Sequence, residues 1–329
     1  MKAKIPVSLL TGFLGSGKTT LLTRLLPRPE FARAIVIINE FGEVSIDHLI
    51  VASLSESIIE LTNGCLCCTI RGDLVMTLRD LHRQAQLGEI RKFDRVVIET
   101  SGLAEPIPLL HTLMTNPPLL KVYAIESLAT VVDVLNVRTT VATSTTAGDQ
   151  IALADTLILS KRDLASPREI EDTHRLLEEL NRQAFRVDSR DEPDALRQIL
   201  GHQRFHAVVQ GDYRPTWLAA PHSHEHDHHT HAYQTHVIRH LEPLSLAGLT
   251  IFLNGVVNEQ KDQILRIKGI VRFRERGGGS AVVHAVQNKF YPIQWLSEWP
   301  DRDQASKLVF IGRKLDCARL DERFRALCV

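Results

Sequence analysis

Short apolar runs alternate with longer amphipathic segments through the first 200 residues of the chain. Several runs, such as residues 34–38, are apolar throughout, which is typical of strands that helices cover on both faces. This βαβ rhythm predicts an α/β fold with a doubly wound, mainly parallel sheet. The predicted strands are residues 5–10, 34–39, 58–61, 95–99, 130–134 and 156–160, and the predicted helices are 18–26, 73–86, 106–114 and 166–183.

A segment rich in histidine and proline interrupts this rhythm at residues 211–231. Its composition indicates an exposed linker. Beyond it, further apolar runs predict a smaller α+β domain with strands at 235–240, 263–273, 281–287 and 307–312, helices at 245–257 and 316–327, and a hairpin tip at 277–279. We therefore expect an amino-terminal domain at 1–210, a His-rich linker at 211–232 and a carboxyl-terminal domain at 233–329.

Composition and charge narrow the class of protein. The chain of 329 residues is 44% hydrophobic and 24% charged, as expected for a globular protein with a sizeable core. Lys plus Arg equals Asp plus Glu, at 39 each, so no net field favours nucleic acid or an acidic membrane surface as a partner. No apolar run approaches the length of a membrane span. Three of five cysteines crowd at residues 65–68, which favours a reducing, cytoplasmic setting over a disulfide framework.

Residues 12–19, Gly-Phe-Leu-Gly-Ser-Gly-Lys-Thr, match the phosphate-binding P-loop pattern between a strand and a helix. The glycines let backbone N–H groups point at phosphate oxygens, and the helix dipole adds positive potential there. We expect Lys18 to reach the β- and γ-phosphates and the Thr19 hydroxyl to ligate Mg²⁺. The predicted nucleotide-binding residues of this loop are Gly12, Gly15, Ser16, Gly17, Lys18, Thr19 and Thr20.

A carboxylate ends the apolar strand at residues 95–99. Glu99 is expected to lie across from Thr19 and to hold a metal-bound water or the attacking water. The N–H of Gly102, three residues further on, is expected to contact the γ-phosphate. Lys18, Glu99 and Gly102 are therefore the candidate catalytic residues for nucleotide hydrolysis.

The sequence Ser-Lys-Arg-Asp at residues 160–163 follows another apolar strand and favours guanine over adenine. The Asp163 carboxylate can accept two hydrogen bonds from the N1–H and N2–H₂ groups of guanine, which adenine does not supply. The stem of Lys161 can pack along the plane of the base. Ser160 stands where an asparagine is more usual. GTP is the predicted nucleotide.

A cluster of three thiols at Cys65, Cys67 and Cys68 is the main candidate metal site. Thiolates select Zn²⁺, Cu⁺ and similar ions. An extended chain places Cys68 on the opposite face from the other two, so a three-thiolate site requires a bend, which residues 63–64 (Asn-Gly) can provide. The fourth position stays open to water, a side chain or a ligand from a client. A redox pair, or small buried residues, is the alternative interpretation.

Two further segments are candidates for metal contact. The acidic segment 39–47 follows the second strand, in the position of a first switch loop, and Glu43 within it is expected to sense Mg²⁺ and γ-phosphate or to join the thiol site. The His-rich run at 222–231 either gathers transition metals weakly or is a polar linker. Cys317 and Cys328 lie in a predicted helix and are interpreted as ordinary packing residues.

These motifs together resemble the CobW-type GTPases, the group that also holds HypB and UreG, and within it the YjiA-like members. The resemblance rests on residues 11–20, 39–43, 64–68 and 99–102, with 266–269 (Arg-Ile-Lys-Gly) resembling a feature of the carboxyl-terminal domain. It implies GTP hydrolysis and a metallochaperone role for zinc or a similar metal. It also implies metal binding at the three thiols and a Mg²⁺ ligand at Thr19, with help from the first-switch acids. Ile38 stands where some YjiA-like proteins carry an acid, which leaves Cys67 and Glu43 as the available ligands there.

The expected function is therefore a GTP-hydrolysing chaperone that transfers zinc to client metalloproteins, with GTP, Mg²⁺ and Zn²⁺ as ligands and a homodimer as a possible assembly. A zinc sensor or store that nucleotide regulates is one alternative. An insertase for cobalt or another metal is a second, and a biosynthetic enzyme with structural cysteines is a third.

Overall fold

The structure is a computed structural model that describes residues 4–39, 58–60, 67–199, 233–276, 279–296, 299 and 304–328. These residues form two compact units, and each has its own sheet. Cys65, the first-switch acids with Glu43, the tip residues 277–278 and the linker at 211–232 lie outside the described residues. No helix in the described part of the chain is long and apolar enough to cross a lipid bilayer.

The described residues up to 199 contain seven strands and eight α-helices, and only the end of α7, from Leu176 on, groups with the second unit. The strands are β1 (Ile5–Thr11), β2 (Ala34–Asn39), β3 (Ile58–Glu60), β4 (Arg95–Thr100), β5 (Tyr123–Asp133), β6 (Thr156–Ser160) and β7 (Phe185–Asp188). The helices are α1 (Lys18–Leu25), α2 (Cys67–Leu87), α3 (Pro106–Thr115), α4 (Pro117–Val122), α5 (Val137–Thr143), α6 (Thr145–Leu153), α7 (Pro167–Leu180) and α8 (Glu192–Ile199).

The seven strands pair in parallel in the order β3-β2-β4-β1-β5-β6-β7. Strands β2, β3 and β4 lie on one side of β1, and β5, β6 and β7 lie on the other side. The order in which strands are added to the sheet therefore reverses at β1. Ligands bind at such a switch point, beyond the carboxyl ends of the strands. The helices α1 and α8 pack on one face around Leu22, Val97 and Ile158, while α3 and α6 contact β5 from the other face. The predicted doubly wound α/β fold is confirmed.

Several predicted boundaries were wrong, and local sequence explains why. Helix α2 begins at Cys67 rather than at residue 73, because its first turn carries no apolar periodicity. Strand β5 begins at Tyr123 rather than at residue 130, since Glu126 and Ser127 interrupt its apolar pattern. The short elements α4, α5, α6, α8 and β7 were not predicted. Side-chain caps mark the starts of two of them: Asn116 accepts a hydrogen bond from the backbone N–H of Leu119 at the start of α4, and Ser144 from that of Ala147 at the start of α6.

The second unit is an antiparallel sheet with two helices on one face. Its strands pair in the order β11-β10-β9-β13-β8, and β12 also pairs with β10. The strands are β8 (Tyr233–His240), β9 (Ile264–Arg272), β10 (Ser280–Val286), β11 (Lys289–Phe290), β12 (Gln294–Trp295) and β13 (Ser306–Arg313), and the helices are α9 (Leu246–Glu259) and α10 (Cys317–Cys328).

An aromatic cluster joins the two helices of the second unit to its sheet. Phe252 of α9 meets Phe310 of β13 and Phe324 of α10 edge to face, with ring centroids 6.1 and 5.5 Å apart. This geometry is the favourable one for aromatic quadrupoles. Cys328 is buried in the same core, where burial raises the pKa of its thiol to about 12, and Cys317 packs partly buried at its edge. The α+β prediction for this part of the chain is confirmed.

Candidate nucleotide site

The P-loop occupies the connection between β1 and α1, at the carboxyl edge of the central strand. Gly12, Gly15 and Gly17 have positive φ angles of 143°, 70° and 93°. A Cβ added at Gly12 would lie 2.4 Å from the Val131 carbonyl oxygen of β5, so only glycine lets the loop pass this close to the neighbouring strand. At Gly15 a Cβ would meet nothing within 4 Å. The loop therefore leaves open space where phosphate oxygens can approach its backbone.

The Lys18 side chain lies along the inside of this loop. Its Nζ donates hydrogen bonds to the carbonyl oxygens of Gly12 at 2.7 Å and Phe13 at 3.3 Å. The residue is 8% exposed, and it is the first residue of α1. The ammonium group and the positive end of α1 thus face the same loop, which is the arrangement that attracts phosphate.

Thr19 and Glu99 meet across the edge of the sheet. The Thr19 hydroxyl donates a hydrogen bond of 2.8 Å to Glu99 Oε1, and Glu99 is 3% exposed. Strand pairing explains the meeting, because Leu10 of β1 lies beside Glu99 of β4. A hydroxyl and a buried carboxylate are hard oxygen donors, which Mg²⁺ prefers, so the chemistry of this pair fits the ion.

The loop after β4 packs tightly against the P-loop. A Cβ added at Gly102 would lie 2.6 Å from the Leu14 backbone nitrogen and 2.8 Å from its Cα. The peptide at Gly102 therefore touches the P-loop backbone, and any larger residue would push the two loops apart. The structure places this third candidate catalytic residue beside the phosphate loop.

The end of β6 is tied to the P-loop through Ser160. Its Oγ lies 2.7 Å from the Ser16 carbonyl oxygen and 3.2 Å from that of Val132, and either can accept its proton. Lys161 follows in a left-handed conformation (φ 58°), and its Nζ donates a 2.8 Å hydrogen bond to Asp133 Oδ2 at the end of β5. Asp163 is exposed in the turn that follows. Of the two predicted base contacts, Lys161 thus lies beside the P-loop and Asp163 faces solvent.

A cavity of about 320 Å³ opens beside the P-loop, over the end of β5. Two buried polar atoms of residues that line it, Ser16 Oγ and Gln150 Oε1, have no hydrogen-bond partner among the described residues. Its other walls come from the P-loop, β5, α5 and α6, and include Phe13, Leu14, Gly15, Val131, Asp133, Asn136, Thr140, Ile151 and Lys161.

The thiol segment connects β3 to α2. Cys67 and Cys68 are the first two residues of α2, while Cys65 and the bend expected at residues 63–64 lie outside the described residues. Strand β3 runs parallel to β2, with Glu60 beside Ile38, and Ile38 in turn lies beside Glu99. Strand β3 therefore ends at the edge of the sheet that carries the P-loop. Within the described ranges, no group of three or more His, Cys, Asp or Glu side chains is arranged to hold a metal ion.

Sequence reasoning missed two contributors to this site. Asp133 ends an apolar strand with a carboxylate, which is the signal that identified Glu99, and it could have been found in the same way. Gln150 lies in α6, a helix that was not predicted, and it had no motif to mark it. Its side chain contacts the loop that holds Gly102.

A P-loop at the switch point of a parallel sheet, with a threonine–carboxylate pair behind it, defines an α/β P-loop nucleotide-binding protein. The family described as CobW/HypB/UreG, nucleotide-binding domain, matches residues 6–187, and the cobalamin synthesis protein cobW C-terminal domain matches residues 233–328. The chain belongs to this CobW/HypB/UreG family.

Individual relatives extend over nearly the whole chain. The zinc chaperone YjiA of Escherichia coli is 30% identical over 326 residues, which cover 98% of each chain. The zinc chaperone CobW of Pseudomonas aeruginosa is also 30% identical, over 98% of this chain and 91% of its own. A crystal structure of zinc-bound YjiA GTPase from E. coli superimposes with a TM-score of 0.67 at 25% identity and covers 99% of both chains.

Proposed function

We propose that this protein is a GTP-hydrolysing zinc chaperone, which binds zinc through Cys65, Cys67 and Cys68 and transfers it to a client metalloprotein. Relatives of nearly the same length are named zinc chaperones, and one solved relative is named a zinc-bound GTPase. The division into a nucleotide domain at 1–210, a linker and a carboxyl-terminal domain at 233–329 is part of the same proposal.

The observation that carries the proposal is the shared edge of the parallel sheet. The P-loop follows β1, Glu99 is next to last in β4, and the thiol segment follows β3, all on the carboxyl side of the same sheet. A change in the loops around the γ-phosphate is therefore close in the fold to the segment that carries the thiols. Glu43, which follows β2 in the sequence, is proposed to sense Mg²⁺ and the γ-phosphate or to join the thiol site.

Hydrolysis at this site depends mainly on positioning and charge. The P-loop N–H groups and Lys18 hold the phosphates, the Gly102 N–H meets the γ-phosphate, and Glu99 orients the attacking or a metal-bound water. Mg²⁺, when bound at Thr19, supplies neutralisation of the charge on the β- and γ-phosphates. Lys161 and Asp163 select guanine. We expect intrinsic turnover to be slow, as for switch GTPases.

Zinc release follows from the loss of γ-phosphate contacts. With GTP bound, the loops after β2 and β4 are ordered around the phosphate, and the thiol segment is held in its high-affinity geometry. Hydrolysis removes those contacts, and the affinity for zinc falls. A nucleotide shifts zinc binding only through this difference between the two states.

The test is a zinc titration of the protein loaded with a non-hydrolysable GTP analogue and with GDP. We expect zinc to bind about 5- to 150-fold more tightly with the analogue, the range typical of coupled sites. Cys67→Ala should abolish the tight site in both states. Equal zinc affinities in the two nucleotide states would refute the coupling.

The chain offers its own control for the cysteine substitution. Cys317 lies at the start of α10 in the second unit and packs against its hydrophobic core. Cys317→Ala removes one partly buried thiol, and we expect it to leave the tight zinc affinity within twofold of the wild type. If Cys317→Ala and Cys67→Ala weakened zinc binding equally, the assignment of zinc to the Cys-x-Cys-Cys segment would be wrong.

A further inference from the structure

Gln150 of α6 spans the gap between that helix and the loop that follows β4. Its Nε2 lies 3.2 Å from the carbonyl oxygen of Gly102 and 3.1 Å from that of Ala104. A primary amide has two hydrogens, so both carbonyls can be satisfied at once. The residue is 1% exposed, which protects these hydrogen bonds from competition with water.

The backbone of Gln150 is fixed to the sheet. The Thr130 hydroxyl of β5 donates a 2.7 Å hydrogen bond to the backbone carbonyl oxygen of Gln150, and Thr130 is itself 2% exposed. Thr130 pairs with Thr11, the last residue of β1 before the P-loop. The backbone of Gln150 is therefore anchored to β5, the strand that pairs with β1 just before the phosphate loop.

The other end of the contact is the peptide that touches the P-loop. Gly102 packs so closely on Leu14 that no Cβ fits between them. The loop is thus confined between the P-loop on one side and the amide of Gln150 on the other. Loss of the amide hydrogens would leave its two carbonyls without these donors and allow the loop to move away.

We propose that Gln150 is a positioning residue of the GTPase reaction, which holds the Gly102 peptide where its N–H meets the γ-phosphate. The proposal rests on the proposed role of Gly102 in contacting that phosphate. GDP has no γ-phosphate, so Gln150 contributes to the binding of GTP and to its hydrolysis but not to the binding of GDP. Discrimination between the two nucleotides is thereby linked to α6.

The sharpest test is Gln150→Met, which nearly preserves volume and removes both amide hydrogens. The same change removes the buried Oε1 that has no partner in the described part of the chain, which limits the cost to folding. We expect affinity for a non-hydrolysable GTP analogue to fall about tenfold, as for the net loss of two hydrogen bonds, with kcat falling by a similar factor. GDP affinity should stay within twofold. Unchanged discrimination, or equal weakening for both nucleotides, would overturn the proposal.

A matched control lies at the opposite end of β5. The Tyr123 hydroxyl donates a buried 2.7 Å hydrogen bond to the Leu78 carbonyl oxygen. Tyr123→Phe loses a side-chain hydrogen bond of the same type far from the P-loop, so the ratio of analogue to GDP affinity should not change. If Tyr123→Phe changed this affinity ratio as much as Gln150→Met does, the effect would come from a general loss of stability. That result would also overturn the proposal.

The wild-type protein separates failure of this inference from failure of the proposed function. If the wild type does not distinguish the analogue from GDP, the role of Gly102 fails and the role of Gln150 fails with it. If the wild type and Gln150→Met discriminate to the same extent, only the role of Gln150 is lost.

Discussion

At the scale of single residues, the surroundings of His236 favour the charged form of its imidazole. A hydrogen bond with the Cys317 thiol raises the pKa of His236 above its ordinary value, partial burial opposes this, and a 2.8 Å contact with Asp321 Oδ1 adds to the rise. By contrast, partial burial and the nearby Arg186 and Arg162 lower the pKa of His174. The pKa values of two histidines in one chain are thus shifted in opposite directions.

This contrast gives a prediction for pH dependence. Because the pKa of His236 is higher in the folded state, its contribution to stability is fully present below the unfolded pKa of about 6.5 and is lost as the pH rises through the folded value. An NMR titration should place His236 above and His174 below that unfolded value. Asp321→Asn should lower the pKa of His236 and leave His174 unaltered. A wild-type His236 midpoint at or below 6.5 would contradict the prediction.

A site residue could be identified from the sequence when its role depends on residues next to it in the chain. Lys18 and Thr19 belong to a contiguous motif whose backbone geometry is fixed by its own glycines, and Glu99 ends a recognisable apolar strand. Gln150 acts through a loop 48 residues earlier in the chain, so nothing near it in sequence marks its role. A residue whose role depends on the packing of elements far apart in the sequence can be identified only from the structure.

At the scale of elements, the same distinction applies to strands and helices. Strands β2, β4 and β6 were predicted because buried parallel strands are apolar throughout. The helices α5 and α6 were not, since residues 137–153 are rich in Thr and Ala and show little apolar periodicity. These two helices line the cavity beside the P-loop, so the overlooked elements are part of the functional region.

The end of β6 provides a test at this scale. Ser160→Ala removes the hydroxyl that joins β6 to the Ser16 carbonyl oxygen. We expect both GTP and GDP to bind about fivefold more weakly, which corresponds to a loss of about 1 kcal/mol of binding free energy. Calorimetric titration of both nucleotides measures this. Ser127→Ala is the control, because its buried hydroxyl donates to the Ile199 carbonyl oxygen away from the P-loop. Affinities that stay at the wild-type level in Ser160→Ala would disprove the role of this contact.

At the scale of the whole molecule, two groups of candidate metal-binding residues are separated along the chain. The three thiols fall within the nucleotide-binding match at 6–187, whereas the run at 222–231 lies between the two family matches. Six of the fifteen histidines belong to that run. Imidazole nitrogens and thiolate sulfurs are both ligands that Zn²⁺ accepts, so the two groups can be separated by experiment.

Deletion of residues 222–231 distinguishes a chaperone from a store. We expect the variant to bind fewer zinc ions in total, while one tight site and its dependence on GTP remain. Metal analysis after dialysis, together with a competition titration, measures both quantities. Loss of the tight site on deletion would favour storage in the His-rich run over transfer from the thiols.

The hydrogen bonds that Lys18 donates to the Gly12 and Phe13 carbonyls bear on the strength of nucleotide binding. Main-chain oxygens of its own loop hold the ammonium group, so a phosphate that engages Lys18 competes with these internal partners. The affinity measured for a nucleotide therefore reports an exchange of hydrogen bonds by the lysine and not the full strength of a new contact.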